Sequence, residues 1–216
     1  MKTLSVALTL LTTTLITNAQ TTLGLEAIED IVTNEQEYFN GILEIYRSDD
    51  PYIRTDDIAL VYYGQAFRNV GKESVKSGKQ LKEHYNAGNF KELYSAATAM
   101  LEENPASLTA LFHAWIAAKE TGRSHDEARS YVNKFNRIVT MITEYGTGKN
   151  SSSPFRVIHP DDQQFVMTAL GIEKSFSNKF DTEPLCNIHV IKPTEDFKAS
   201  VIYFDLSLFL KQKATE

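Results

Sequence analysis

The chain reads as an α+β fold: mostly helical, with antiparallel helical hairpins first and a small C-terminal antiparallel β-sheet after them. Three observations predict it. Apolar residues recur at helical steps between Leu25 and Ile142. The stretch Tyr145-Gly-Thr-Gly-Lys-Asn-Ser-Ser-Ser-Pro154 then breaks the pattern with loop residues. Beyond it Cys186, Ile188 and Val190 alternate with Asn187 and His189, the period of a half-buried strand. Helices followed by strands is the element order of an α+β domain.

Met1 to about Ala19 reads as a secretory signal peptide. Lys2 supplies the positive end, Leu4 to Ile16 is uncharged, and Thr17-Asn18-Ala19 puts small residues at the cut. A membrane anchor needs about 20 apolar residues, and this run is shorter and rich in threonine. No cysteine lies near the cut, as a lipoprotein would require. The mature chain is expected to start at Gln20 and to be periplasmic or secreted, with no transmembrane span.

Residues 20–216 are long enough for a single α+β domain: hairpins over about 25–143, a loop over 145–154, and a sheet with a helix over 155–210. The chain is 42% hydrophobic and 11% aromatic, sufficient for a packed core. A net charge of -6 argues against nucleic acid, whose binders concentrate Lys and Arg. With one cysteine an exported chain forms no internal disulfide, so packing alone holds it.

Leu25, Ile28 and Val32 begin a first helix, and Phe39, Ile42, Leu43 and Tyr46 mark a second, stopped at Asp49-Asp50-Pro51. Thr55 is expected to cap a third, with Asp56 and Asp57 where the helix dipole favours acids. Leu60, Tyr63, Gly64 and Phe67 form its inner face, and Gly64 lets a neighbour come close. Adjacent helical residues point about 100° apart, so Tyr62 is expected on the flank, able to line a groove. Gly71 to Tyr85 is rich in lysine and weakly periodic, which predicts a short, exposed helix with Leu81 and Tyr85 inward.

Phe90, Leu93, Tyr94, Ala97, Met100 and Leu101 trace a helix face that Asn104-Pro105 ends. Leu108, Leu111, Phe112 and Trp115 trace the next, which makes Trp115 core rather than a ligand platform. Gly122 closes that helix, and Ser124 with Glu127 forms a capping box for another running to Ile142. Gly88, Pro105 seventeen residues later and Gly122 a full repeat later resemble the tetratricopeptide-type repeat. Leu93 and Met100 depart from the alanines typical there. An ordinary pair of helical hairpins accounts for the same spacing, and both readings give stacked hairpins burying one face each.

Phe155 to His159 reads as a short strand. Pro160-Asp161-Asp162 opens a helix with Phe165, Val166, Ala169 and Leu170 on its apolar face and Gly171 as its stop. The Cys186–Val190 strand, a turn at Pro193–Asp196 and a second β-rich run over Ala199–Asp205 make an antiparallel hairpin. In order, the pieces Asp57-x-x-Leu60-x-Tyr62-Tyr63-Gly64 with Phe67, Asn104-Pro105 with Leu108 and Leu111, Gly146-Thr-Gly148 to Pro154-Phe155, and Tyr203-Phe204-Asp205 resemble domain-of-unknown-function family 4919. That family consists of exported bacterial proteins, mainly from Bacteroidetes. The resemblance covers about Ile28 to Leu210 and implies export and a shared fold, with no activity to carry over. The loop here is richer in Lys and Ser than the family's acidic Gly-Asp-Gly version.

Catalytic signals are weak. A phosphate loop needs Gly, four residues, then Gly-Lys-Ser/Thr between strand and helix. Here Thr143 stands for the first Gly, Asn150 for the hydroxyl, and the loop around Lys149 follows a helix; a flexible connection is the better reading. His159-Pro-Asp161-Asp162 suits a helix start, with Asp161 as cap and Gln164 answering it, and Asp49-Asp50 and Asp56-Asp57 have the same kind of explanation. His84, His113, His125, His159 and His189 share no metal-ligand spacing. Cys186 is placed on the buried face, where a thiol is inert. No Gly-x-Ser-x-Gly elbow occurs. No catalytic residue, binding residue, metal or cofactor is assigned. The expectation is a non-enzymatic binding or assembly module of the periplasm or cell envelope, partnered by another envelope protein or a peptide. The alternative is an envelope hydrolase whose site lies between helices and sheet, bordered by His159 and Asp161.

Overall fold

The structure is a computed structural model that describes residues 24–68, 71–173, 175–182 and 185–214. The signal-peptide reading therefore lies outside the described residues. Seven α-helices come first: α1 (Leu25–Asn34), α2 (Gln36–Arg47), α3 (Thr55–Gly64), α4 (Gly71–Asn86), α5 (Phe90–Glu103), α6 (Leu108–Glu120) and α7 (His125–Tyr145). Then follow β1 (Phe155–Arg156), α8 (Asp162–Ala169), β2 (Ser175–Thr182), β3 (Leu185–Ile191), β4 (Val201–Asp205) and α9 (Ser207–Ala214). The architecture is α+β. No helix among the described residues is long and apolar enough to cross a membrane.

The sheet is mixed rather than purely antiparallel, with order β1-β4-β3-β2. β2, β3 and β4 are antiparallel neighbours, but β1 runs parallel to β4, Phe155 beside Phe204. The chain leaves β1 through α8 and two further strands before β4, and such a crossover permits parallel pairing. β1 is only two residues long. The loop before it fills the remaining edge, because Gly148 O accepts from Tyr203 N–H at 2.9 Å.

Two cores form. The larger gathers Ile28, Phe39, Leu43 and Tyr46 of the first helices, Ile138 and Ile142 of α7, and Phe155, Ile202 and Phe204 of the sheet. The smaller joins α4, α5 and α6 through Leu81, Leu93, Ala97, Ala110, Ala114 and Ala117. Alanine holds helix axes near the short end of the usual separation of about 8–10 Å. This is why Trp115 is half-buried rather than core: α6 turns its alanines inward and leaves Phe112 and Trp115 at the rim. α4 is likewise longer and more engaged than expected, with Leu81 fully buried.

Capping follows the predicted residues in part. Ser107 and Ser124 accept from the N–H groups of Ala110 and Glu127, each at 3.2 Å. Glu127 does not close the capping box, because its carboxylate accepts from Tyr94 O–H instead. Thr55 lies inside α3 and caps nothing; Arg54 closes the first turn by pairing with both carboxylate oxygens of Asp57, at 2.9 and 3.0 Å. Gly88 and Gly122, with φ of 69° and 70°, take the left-handed conformation expected past a helix end. Gly64 is required by packing, since a Cβ there would lie 2.9 Å from the Phe39 ring.

Candidate functional site

α8 is short, but nearly every residue of its first half reaches a different part of the molecule. Asp161, just ahead of it, pairs with Lys82 of α4 at 2.9 Å. Asp162 accepts from Tyr62 O–H of α3 at 2.7 Å. Gln163 Oε1 accepts from Asn187 Nδ2 at 2.9 Å and from His189 Nε2 at 2.6 Å on β3. Phe165 stacks against Phe112 of α6 and Phe135 of α7, with ring centroids 5.3 and 5.4 Å apart. The helix is the joint between the helical region and the sheet.

Its polar centre is buried. Tyr62 is 0% exposed and Asp162 3%. Tyr62 is therefore no groove-lining flank residue; its ring lies in the main core and its hydroxyl also accepts from Ile158 N–H at 3.2 Å. Burial pushes the Asp162 carboxyl up to about 7, against the lowering effect of the Tyr62 hydrogen bond, and the nearby Asp161 charge adds to the rise. The Tyr62 phenol is itself held well above its ordinary value by burial and by Asp162. Asp161 forms no side-chain cap, and Gln164 turns to Thr168 rather than back to it.

The other pieces of the motif pattern meet nearby. Tyr63 O–H donates to Arg156 O at 3.3 Å, Arg156 Nε donates to Asp205 at 2.7 Å, and Asp205 accepts from Ser207 N–H at 2.8 Å. Phe155 packs on Phe204 and fills the space at Gly148, where a Cβ would collide with its ring. The loop is thus pinned rather than flexible. The amides of Thr147 and Gly148 both donate to Ser153 O, at 3.0 and 2.8 Å, and so are engaged within the loop rather than aimed at a phosphate.

The histidines do not converge. His113 donates through Nδ1 to Thr109 O at 2.7 Å. His159 Nδ1 accepts from Asp161 N–H at 3.2 Å, and its ring stands edge-on to Phe209. His189 is held by Gln163, while His125 is exposed at the start of α7. Burial lowers the pKa of His113, His159 and His189, which keeps these rings neutral. Among the described residues no three of His, Cys, Asp or Glu are grouped to hold a metal ion. Cys186 is buried, with its thiol pushed up by desolvation, and so is unreactive. The expected alternation does not hold along the rest of β3: His189 and Ile191 are buried with Cys186, and Val190 is exposed.

An open cleft of about 470 Å³ lies between α4 and α5, outside the smaller core. Gln80 and His84 form its α4 side. Glu92, Ser95, Ala96, Ala99, Met100 and Glu103 form its α5 side. The sequence signal for it was the run of small residues in α5, on the face beside Leu93 and Ala97, where Ala96 and Met100 also pack against the smaller core. Among the described residues no tyrosine lines it.

Comparison with known proteins gives a match over residues 26–215 to the family model described as Domain of unknown function (DUF4919). No curated protein and no solved structure matches. The matched span takes in α2 to α9 entire, including the cleft and the α8 joint, so the chain belongs to the DUF4919 family.

Proposed function

We propose that the protein is an exported, non-enzymatic binding module of the periplasm or cell envelope, and that the α4–α5 cleft receives a peptide or a segment of a partner protein. The observation that carries this reading is the cleft itself: open, on the outside of stacked helices, and lined by small and polar side chains together. Tetratricopeptide-like hairpins, the reading suggested by the spacing of Gly88, Pro105 and Gly122, leave surfaces of this kind for partners. Export rests on the Met1–Ala19 stretch, with the mature chain beginning at Gln20.

The test is site-specific photocrosslinking in intact cells. A crosslinker at Ala99 should capture one envelope partner reproducibly, and one at the exposed Thr168 on α8 should not. Adding Ser95→Arg, at an exposed position of the lining, should abolish capture without unfolding the protein. Recovery of an uncrosslinked chain from both positions refutes the reading. Retention of Met1 on a cytosolic chain refutes the export part.

A hydrolase at the seam is the second reading, favoured by the Asp162 carboxyl near neutrality. It requires the seam to open, since Asp162 is buried and one of its oxygens is engaged by Tyr62. Replacing His159 and Asp161 by alanine should leave partner capture intact on the binding reading and abolish any hydrolysis on this one.

A further inference from the structure

The α4–α5 cleft carries a charge that its own chain leaves unanswered. Glu92 and Glu103 lie in its lining, and no Lys or Arg stands among the described residues that line it. Both are exposed, and among the described residues neither carboxylate is engaged by an ion pair or a hydrogen bond. Elsewhere Glu44 is paired with Arg47 and Glu127 accepts from Tyr94. Lys79, the residue before Gln80, pairs with Glu83 at 3.8 Å. Gln80 and His84 face the cleft from α4, so with His84 neutral the lining carries two negative charges. Their placement is regular. Glu92 and Glu103 stand eleven residues apart on α5. Eleven residues make three turns with about 20° to spare, so the two point the same way, about 16 Å apart along the axis. Ala99 lies on the line between them, with Ser95 and Ala96 to either side.

Given the cleft as a partner site, on which this inference rests, we propose that its occupant is a basic helix: a segment with Lys or Arg at two positions eleven residues apart and small side chains between them. The charge calls for a cation at each end, since two unengaged carboxylates repel an acidic segment and attract a basic one. The backbone calls for a helix. α4 and α5 satisfy their own N–H and C=O groups along their length, so the cleft has no row of backbone partners to offer an extended strand. A helix brings its own backbone bonds and needs only a groove for its side chains. The small residues of α5 let the occupant's axis come near the short end of the usual separation of about 8–10 Å, and a crossing of about 20° keeps it over both carboxylates. The basic residues then repeat on the occupant the spacing of Glu92 and Glu103 on α5.

Photocapture from Ala99 in intact cells, with the captured segment identified by mass spectrometry, tests it beside a double variant carrying Glu92→Gln and Glu103→Gln. Capture should land on a helix with the basic spacing. In the double variant it should fall about fivefold or more, as two exposed ion pairs are lost, with the melting temperature unchanged because both side chains are exposed. No capture from Ala99 in the unaltered chain overturns the partner site and this proposal with it. Capture of an acidic or uncharged segment, capture of a second copy of this chain, or capture that both glutamines leave unchanged overturns the proposal alone. A synthetic probe gives the same decision in solution. The purified chain should bind an alanine-based helical peptide with two lysines so spaced at least about tenfold more tightly than the same peptide with two glutamates, and the gap should close in about 1 M salt. Equal behaviour of the two peptides, or a gap that survives both glutamine substitutions, overturns it as well.

Discussion

The α4–α6 stack and the α8 joint hold the molecule together by opposite means. In the stack, Leu81 and Leu93 pack against Ala97, Ala110, Ala114 and Ala117. In the joint, Asp161, Asp162 and Gln163 reach three different elements through polar contacts, beside the apolar packing of Phe165, Val166 and Met167. Apolar packing is roughly proportional to buried area and indifferent to pH. A buried carboxyl depends on its partner and on its protonation. The stack should therefore respond to volume and the joint to acid and base.

Leu93→Ala should give the largest effect. Leu93 is fully buried between helices whose other contacts are mostly alanine, so little can collapse into the space. Leucine-to-alanine changes in such sites cost about 2–5 kcal/mol, and a value of about 3 kcal/mol is expected here. Urea unfolding at about pH 6 and about pH 8 should give the same loss, because no ionisable group is removed. A loss that varies strongly with pH would mean that stack and joint unfold as coupled units, and the comparison would fail.

Asp162→Asn should be smaller and should depend on pH. The native carboxyl titrates at about 7, against 3.8 for a free aspartate side chain. Between those values the native state keeps a proton that the unfolded state has released, so this group's contribution falls as pH rises and levels off above about 7. Asparagine cannot ionise and keeps an oxygen for Tyr62. The variant should gain steadily on the native chain as pH rises from about 4 to about 7, and the difference should vanish at the acid end. The three histidines with lowered pKa act the other way, since unfolding lets them take up protons in acid. They are common to both proteins and cancel in the difference. A difference that stays flat across that range would show that Asp162 is not the titrating group.

The same contrast explains what could be read from the sequence. α1 to α3 and α5 to α7 were legible because a core on one side leaves a period in the apolar residues. The β3–β4 hairpin was legible from two β-rich runs on either side of a turn, although the inward face expected for β3 holds only at Cys186. β2 was not: it is an edge strand exposed along almost its whole length, and Ser-Phe-Ser-Asn-Lys-Phe-Asp-Thr carries no buried period. α9, with its polar Lys-Gln-Lys, left no stripe either. Pro160-Asp161-Asp162 was legible only as a helix start, since a cap and a buried joint use the same residues. What tells them apart is Tyr62, a hundred positions away in the chain. Three of the four scattered pieces that carry the family resemblance meet near this joint, Tyr62 and Tyr63 at one side and Gly148, Phe155 and Asp205 at the other. Their order along the chain pointed to the family although no local pattern disclosed the contacts. The cleft was not read from the sequence, because the small residues of α5 border one only once α4 is placed beside them.

Lys82→Ala should have the smallest effect, and it sharpens the account of the joint. The Lys82–Asp161 ion pair is its most conspicuous charged contact, at 2.9 Å, yet the two side chains are 55% and 41% exposed. Pairs of that kind contribute about 0.5 kcal/mol or less and are screened by salt. The substitution should lower stability by no more than that in dilute buffer and by nothing measurable in about 1 M salt. The buried Tyr62–Asp162 bond should behave otherwise. Tyr62→Phe removes the donor from Asp162 and the acceptor from Ile158, and about 1–3 kcal/mol should be lost whatever the salt. If Lys82→Ala proved the costlier of the two, the joint would be held at its surface, and Asp162 would be free to serve the chemistry that the second functional reading requires.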